Sequence, residues 1–222
     1  MKNLWILAPL LLAMNSVHGK ENQSSGWQFY PSAGIGWHSL EFKRPGGTLS
    51  ADYPTLNFGI AATLNDFFVS YDGEWLGKSN FQNDAEFTSV EREDNTFTVG
   101  KSFDRISVFA GYTKAETKDD FLGEFHFDEG FFIGAGYNFP FGKSNLGISL
   151  AYANLDGEIF EDEEGLIESG KTQGLSYRIN YSGPFRKDMG YKIFARFRSY
   201  EFESDGVTTD KDILSIGASI SF

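Results

Sequence analysis

Hydrophobicity along most of this chain repeats every second residue, and that period decides what the chain can fold into. At its end Leu214, Ile216, Ala218, Ile220 and Phe222 are apolar, while Ser215, Gly217, Ser219 and Ser221 between them are small or polar. A strand there has one greasy face and one wet face. The same parity recurs in nine earlier sets, typified by Phe29, Ala33, Ile35 and Trp37, by Leu56, Phe58, Ile60 and Ala62, and by Leu146, Ile148, Leu150 and Tyr152. Each set needs about 9–11 residues, the length at which a tilted strand crosses a membrane. Past the first twenty residues no apolar run is long enough for a membrane helix. The expected fold is all-β: an antiparallel transmembrane β-barrel of ten strands, whose hydrophobicity is hidden in the alternation.

A free C-terminus carrying polar-x-Gly-x-x-hydrophobic-x-aromatic, here Ser215, Gly217, Ile220 and Phe222, resembles the assembly signal of Gram-negative outer-membrane β-barrels. That resemblance implies reading of the last strand by the barrel insertion machinery and residence in the bacterial cell outer membrane. The N-terminus agrees in compartment. Lys2, the apolar run Leu4 to Met14 and Val17-His18-Gly19 are similar to a secretory signal peptide, giving residues 1–19 as signal and 20–222 as a single barrel domain. Cleavage would remove Lys2 and take the net charge from −12 to −13, which argues against nucleic acid as a partner. The chain has no cysteine, so an exported barrel must be stable without disulfides.

The connections alternate in length. Leu64-Asn65-Asp66, Asp104-Arg105, Pro140 to Ser144 and Gly183 to Gly190 are short and rich in turn residues, whereas 41–54, 77–94, 115–127, 156–171 and 202–211 are longer and polar. In this architecture short turns are periplasmic and long loops extracellular. The parity opposite the apolar one separates this chain from a soluble barrel. It carries Gly34, Gly36, Gly59, Gly100, Gly111, Gly134, Gly136, Gly147 and Gly217 with few charges, which suits a crowded lumen and not a water-facing surface. Aromatics also fall at two levels: Phe67, Phe103, Phe139, Tyr181, Tyr191 and Phe222 near one end, Trp37, Trp75, Tyr112 and Tyr152 near the other. Two interfacial girdles have this arrangement.

The few charges on the inward parity are the candidate site: Asp72 and Glu74 on the third strand, Arg178 on the eighth, Arg196 and Arg198 on the ninth. The third and eighth strands of a ten-stranded barrel face each other across the lumen. Acids and arginines opposed in this way either line a constriction for small polar or charged solutes, a narrow porin-like channel, or meet and plug the lumen, because buried charges must be paired. The plugged alternative is a structural or adhesin-type barrel acting through its loops. Ten strands is also the number in omptin proteases, which use paired aspartates and an Asp-His pair at the outer rim. Here His126 and Asp128 share a face and Asp119-Asp120 lies nearby, but the spacing does not reproduce that pattern and the chain is shorter, so the expectation is no enzyme, with His126 and Asp128 as solvated loop residues.

No metal or cofactor is expected. The stretch 156–165 carries six acids without the spacing of a calcium loop. It reads as a solvated loop that repels lipopolysaccharide phosphates or bridges them through divalent cations, making outer-membrane lipid and lipopolysaccharide the expected surroundings. Phe81, Phe87, Phe121 and Phe125 are candidates for contact with a host surface.

Overall fold

The computed structural model describes residues 26–44, 47–76, 79–82, 87–119, 124–161, 165–186 and 189–222, and the signal peptide expected at 1–19 lies outside them. These residues form antiparallel strands with no helix among them: β1 (Gln28–Arg44), β2 (Gly47–Leu64), β3 (Phe67–Leu76), β4 (Ser79–Gln82), β5 (Phe87–Phe103), β6 (Ile106–Asp119), β7 (Glu124–Phe141), β8 (Ser144–Glu161), β9 (Gly165–Arg186), β10 (Met189–Ser204) and β11 (Val207–Ser221). β3 and β4 both lie between β2 and β5 and share one place in the wall. β1 pairs with β2 on one side and β11 on the other, closing a ten-stranded barrel as the alternation predicts.

The stagger of that barrel can be read from its pairing. Starting at Tyr30, the directly opposed residues are Ala61, Ser70, Thr98, Gly111, Phe132, Ala153, Gly174, Tyr200 and Lys211, and Lys211 is opposed to Phe42. One circuit climbs from Tyr30 to Phe42, twelve residues along β1. With a rise of about 3.3 Å per residue and about 4.8 Å between strands, that stagger tilts the strands by about 40°.

Short turns close one end. Asn65, Asp104 and Gly142 each open a two-residue turn with positive φ (52°, 56° and 64°), a conformation that Asn, Asp and Gly tolerate. At the opposite end the described residues of the long polar stretches are strand and not irregular loop: β1 runs to Arg44, β2 begins at Gly47, and Asp205-Gly206 alone turns β10 into β11. The reason is a change of phase. Up to the girdle of Trp37, Trp75, Tyr112 and Tyr152, the outward side chains are apolar and exposed, Ile35 and Ile133 among them. Beyond it, outward positions become Glu41, Lys43, Asp52, Glu158 and Asp210, all but half-covered Glu41 exposed, and the inward ones become Leu40, Phe42, Tyr53, Leu155 and Ile213, all buried. Strand alternation persists, but lipid outside gives way to water, so the apolar parity moves from the outer face to the inner one. Between Phe29 and Trp37 the apolar belt on β1 spans about 20 Å.

The inward glycines are sockets for rings. A Cβ on Gly217 would lie 2.7 Å from the Phe194 ring and one on Gly134 2.5 Å from that of Phe109; Gly100 and Gly111 accept Phe68 and Phe132 in the same way. Phe109 and Phe132 meet edge to face at 6.4 Å between centroids.

Candidate functional site

Register places Glu74 on β3 directly opposite Asp94 on β5. Two carboxylates in that relation repel, and inside a barrel they require cations. These come from the far wall. Arg196 on β10 donates to Glu74 at 2.5 Å, while Arg198 donates to Asp94 at 2.9 Å and stands 3.9 Å from Glu74. Arg92, two residues from Asp94 on the same face of β5, donates to both its oxygens at 2.7 and 3.3 Å and to the Thr117 hydroxyl at 2.6 Å. His38 on β1 completes the layer with Nε2 3.3 Å from Glu74. The network therefore ties β1, β3, β5, β6 and β10 across the lumen.

Directly outward lies an apolar cluster of Leu40, Phe42, Ala51, Tyr53 and Ile213, with the Tyr53 ring 5.5 Å from that of His38. A second ion pair caps it. Lys211 donates to both oxygens of Asp128 at 2.9 and 3.0 Å, and the Thr172 hydroxyl donates to Asp128 at 2.6 Å. The Lys211 ammonium also lies 4.8 Å from the Phe202 ring centre, within cation–π range.

On the periplasmic side of the Glu74 layer the lumen opens into a cavity of about 340 Å³. All five charged residues singled out in the sequence line it. Glu74, Arg196 and Arg198 come together in the network; Asp72 and Arg178 do not join it. Asp72 accepts a hydrogen bond from Ser70 at 3.3 Å, and the Arg178 guanidinium stacks 4.9 Å from the Phe194 ring centre.

Sequence reasoning did not single out His38, Arg92, Asp94, Lys192 or Lys211. Arg92 and Asp94 fell in the stretch 77–94 read as a loop, yet they continue the inward parity of Thr96, Thr98 and Gly100 without a break, and that was the available signal. His126 and Asp128, expected as solvated loop residues, are instead buried on the inner face of β7. They share a face as the spacing required, but Asp128 is committed to Lys211 and Thr172, while the His126 ring lies against Phe42 at 5.7 Å. Within the acidic stretch, Asp156 pairs with Lys171 of the neighbouring strand. Phe81, Phe87 and Phe121 cannot be placed, because their side chains lie outside the described residues.

His38, Glu74 and Asp94 each bring one possible ligand atom within 4.8 Å of the others. Three arginines already pair with the two carboxylates, so a metal ion there would meet guanidinium charge.

Of the terminal signature, Ser215 and Gly217 face the lumen, Ser215 fully buried and Gly217 beneath the Phe194 ring, whereas Ile220 and Phe222 face outward and are exposed. The Phe222 amide donates to the Pro31 carbonyl at 3.0 Å, extending the β1–β11 seam to the last residue.

No known family profile and no curated protein sequence matches the chain. Among solved structures, the outer membrane protease OmpT from Escherichia coli superposes with a TM-score of 0.60 at 10% identity, over 93% of this chain and 99% of that one. The translocator domain of the autotransporter NalP from Neisseria meningitidis gives 0.48 at 11% identity, over 96% and 93%; Neisserial surface protein A gives 0.44 at 11%, over 89% and 99%. At 10% identity the OmpT likeness is one of fold, and with the outward apolar belt it makes this chain a transmembrane β-barrel of the outer-membrane type.

Proposed function

We propose that the protein is an occluded outer-membrane barrel that acts at the cell surface and does not serve as a standing pore. The observation that supports this most is the filling of the outer lumen: the Glu74 network, the Leu40–Tyr53 cluster and the Asp128–Lys211 pair follow one another, and Leu40 and Tyr53 are 0% exposed. Such a sequence of layers supports a lumen closed to hydrated ions. The outer wall offers a surface for contact. Phe125 and Phe127 stack at 6.5 Å and Phe160 meets Phe127 edge-on at 5.5 Å, with Lys118 and Lys114 over the first two rings at 5.1 and 6.0 Å. Aromatic faces with flanking ammonium groups suit sugar and phosphate, the chemistry of lipopolysaccharide and of surface glycans.

A second reading, a narrow porin-like channel for small polar or charged solutes, is favoured by the cavity beneath the network, and conduction would then require the Glu74–Arg196 contact to part. Purified barrel in planar bilayers tests both. The occluded reading expects no steady current; a stable ohmic conductance from the unaltered protein would replace it with the channel.

A further inference from the structure

We infer that the periplasm-facing cavity is a binding site for a small oxyanion, a phosphate or carboxylate group held by Arg178 and Lys192. The inference goes beyond the occluded-barrel reading and does not depend on it.

Among the described residues two cations of the lumen lack a carboxylate at ion-pair distance. Glu74, Asp94 and Asp128 are each met by arginine or lysine within ion-pair distance. Arg178 and Lys192 have no such carboxylate among the described residues, although both line the cavity. The imbalance is set by register: Arg178 on β9 stands directly opposite Arg196 on β10, an arrangement of like charges that costs stability unless a negative group answers it. Of this pair, Glu74 answers Arg196 and not Arg178. Arg178, like Arg196 and Arg198, keeps a buried Nε without a hydrogen-bond partner; unlike them it has no carboxylate at ion-pair distance among the described residues, and its guanidinium lies against the Phe194 ring. Lys192 lies on the same face of β10 as Arg196, four residues toward the periplasmic end, and lines the same cavity as Arg178. An unsatisfied guanidinium edge and a nearby ammonium together make the geometry that recognises a planar or tetrahedral oxyanion.

The rest of the cavity fits this role. Asn180, next but one to Arg178 on the same face, and Ser149, directly opposite Arg178, offer neutral hydrogen-bonding groups. Asp72 on the opposing wall is the one lining carboxylate that is not already in the network, so it limits how much negative charge the cavity accepts. Access is from the periplasmic end, where the inward side chains include the small, half-buried Ser32, Ser102, Ser107, Ser182 and Ser219; the other end is filled by the Glu74 network and the Leu40–Tyr53 cluster.

The test uses the refolded full barrel in detergent micelles at constant ionic strength, titrated calorimetrically with inorganic phosphate and, separately, with acetate. Saturable binding of either anion is expected, the phosphate arm or the acetate arm naming the preferred group. Arg178→Gln/Lys192→Gln should weaken it at least tenfold, Asp72→Asn should tighten it several-fold, and Lys101→Gln, on the outer face beside Phe67 and Phe103, should leave it unchanged. Heat-modifiable gel mobility verifies that each variant is folded. Because the chain is free of cysteine, Ser219→Cys also reports the route: an impermeant maleimide should label it only once the periplasm is opened, and the bound anion should slow the labelling. Absence of saturable binding by both anions, equal binding by the folded Arg178→Gln/Lys192→Gln protein, or labelling from outside intact cells would overturn the proposal.

Discussion

The two halves of the lumen are built from the same strands and by opposite rules. In the outer half, large side chains and charges from facing walls meet and exclude water; in the periplasmic half, glycines and serines leave a cavity whose cations are only partly matched. Below the girdle of Trp37 and Trp75 the apolar side chains face lipid, so the inner face is left with small residues, ring-in-socket contacts and a few charges. Above it water surrounds the barrel, and the inner face has to supply a hydrophobic core of its own. The outer part therefore behaves as a small soluble β-barrel standing on a membrane barrel, and stability should be concentrated there.

The sharpest way to break that contrast is Asp94→Asn. It strands Arg92 and Arg198 in a closed interior and should cost about 3–5 kcal/mol, read as a shift in urea unfolding in micelles, while Asp72→Asn in the open half should move the midpoint very little. Equal shifts would show that the halves are not distinct. Next in size, Leu40→Ala removes the centre of the apolar cluster and should cost about 2–5 kcal/mol; a current appearing in bilayers with this variant would identify the cluster as the seal. An arginine at Ile148 faces lipid and should cost about 2–4 kcal/mol near the midplane, against a smaller loss for Ser149→Asn, which faces the cavity opposite Arg178. The smallest effect on the finished barrel is expected from deleting Phe222, which is exposed, although in cells the same deletion should leave periplasmic or degraded protein if the last strand is read during insertion. Normal membrane-inserted Phe222-deleted protein would remove that role.

How much was legible in the sequence follows from the same change of phase. Where lipid lies outside, parity alone gave strand number, closure and facing, because Ile35, Leu56, Ile148 and Ile216 repeat without interruption. Beyond the girdle, Glu41, Lys43 and Asp52 make the segment polar on average, and a strand with its wet face outward looked like a loop. Arg92 and Asp94 were lost with it, and Asp128 could be named only as a solvated loop residue. The residues that could be named early, Glu74, Arg196 and Arg198, sit near the boundary where the membrane pattern still holds. Their partners required the stagger of the barrel, which brings residues 122 positions apart into contact and leaves no trace in local spacing.

One consequence lies in the order of events during folding. With β3 and β4 counted as one wall strand, every neighbouring pair among the described residues except one is consecutive in the chain and can form as a hairpin. The exception is the seam between β1 and β11, where Ser32 opposes Ser221, 189 positions apart. Closing a loop of that length costs about 4–5 kcal/mol of chain entropy, recovered only when the whole row of pairs from Ser32 to Lys43 has formed. Until then the sheet is open along two long edges, each able to pair with another chain. The slow and hazardous step for this protein is therefore the joining of its first strand to its last, and the rate of that single closure should set how fast the barrel matures.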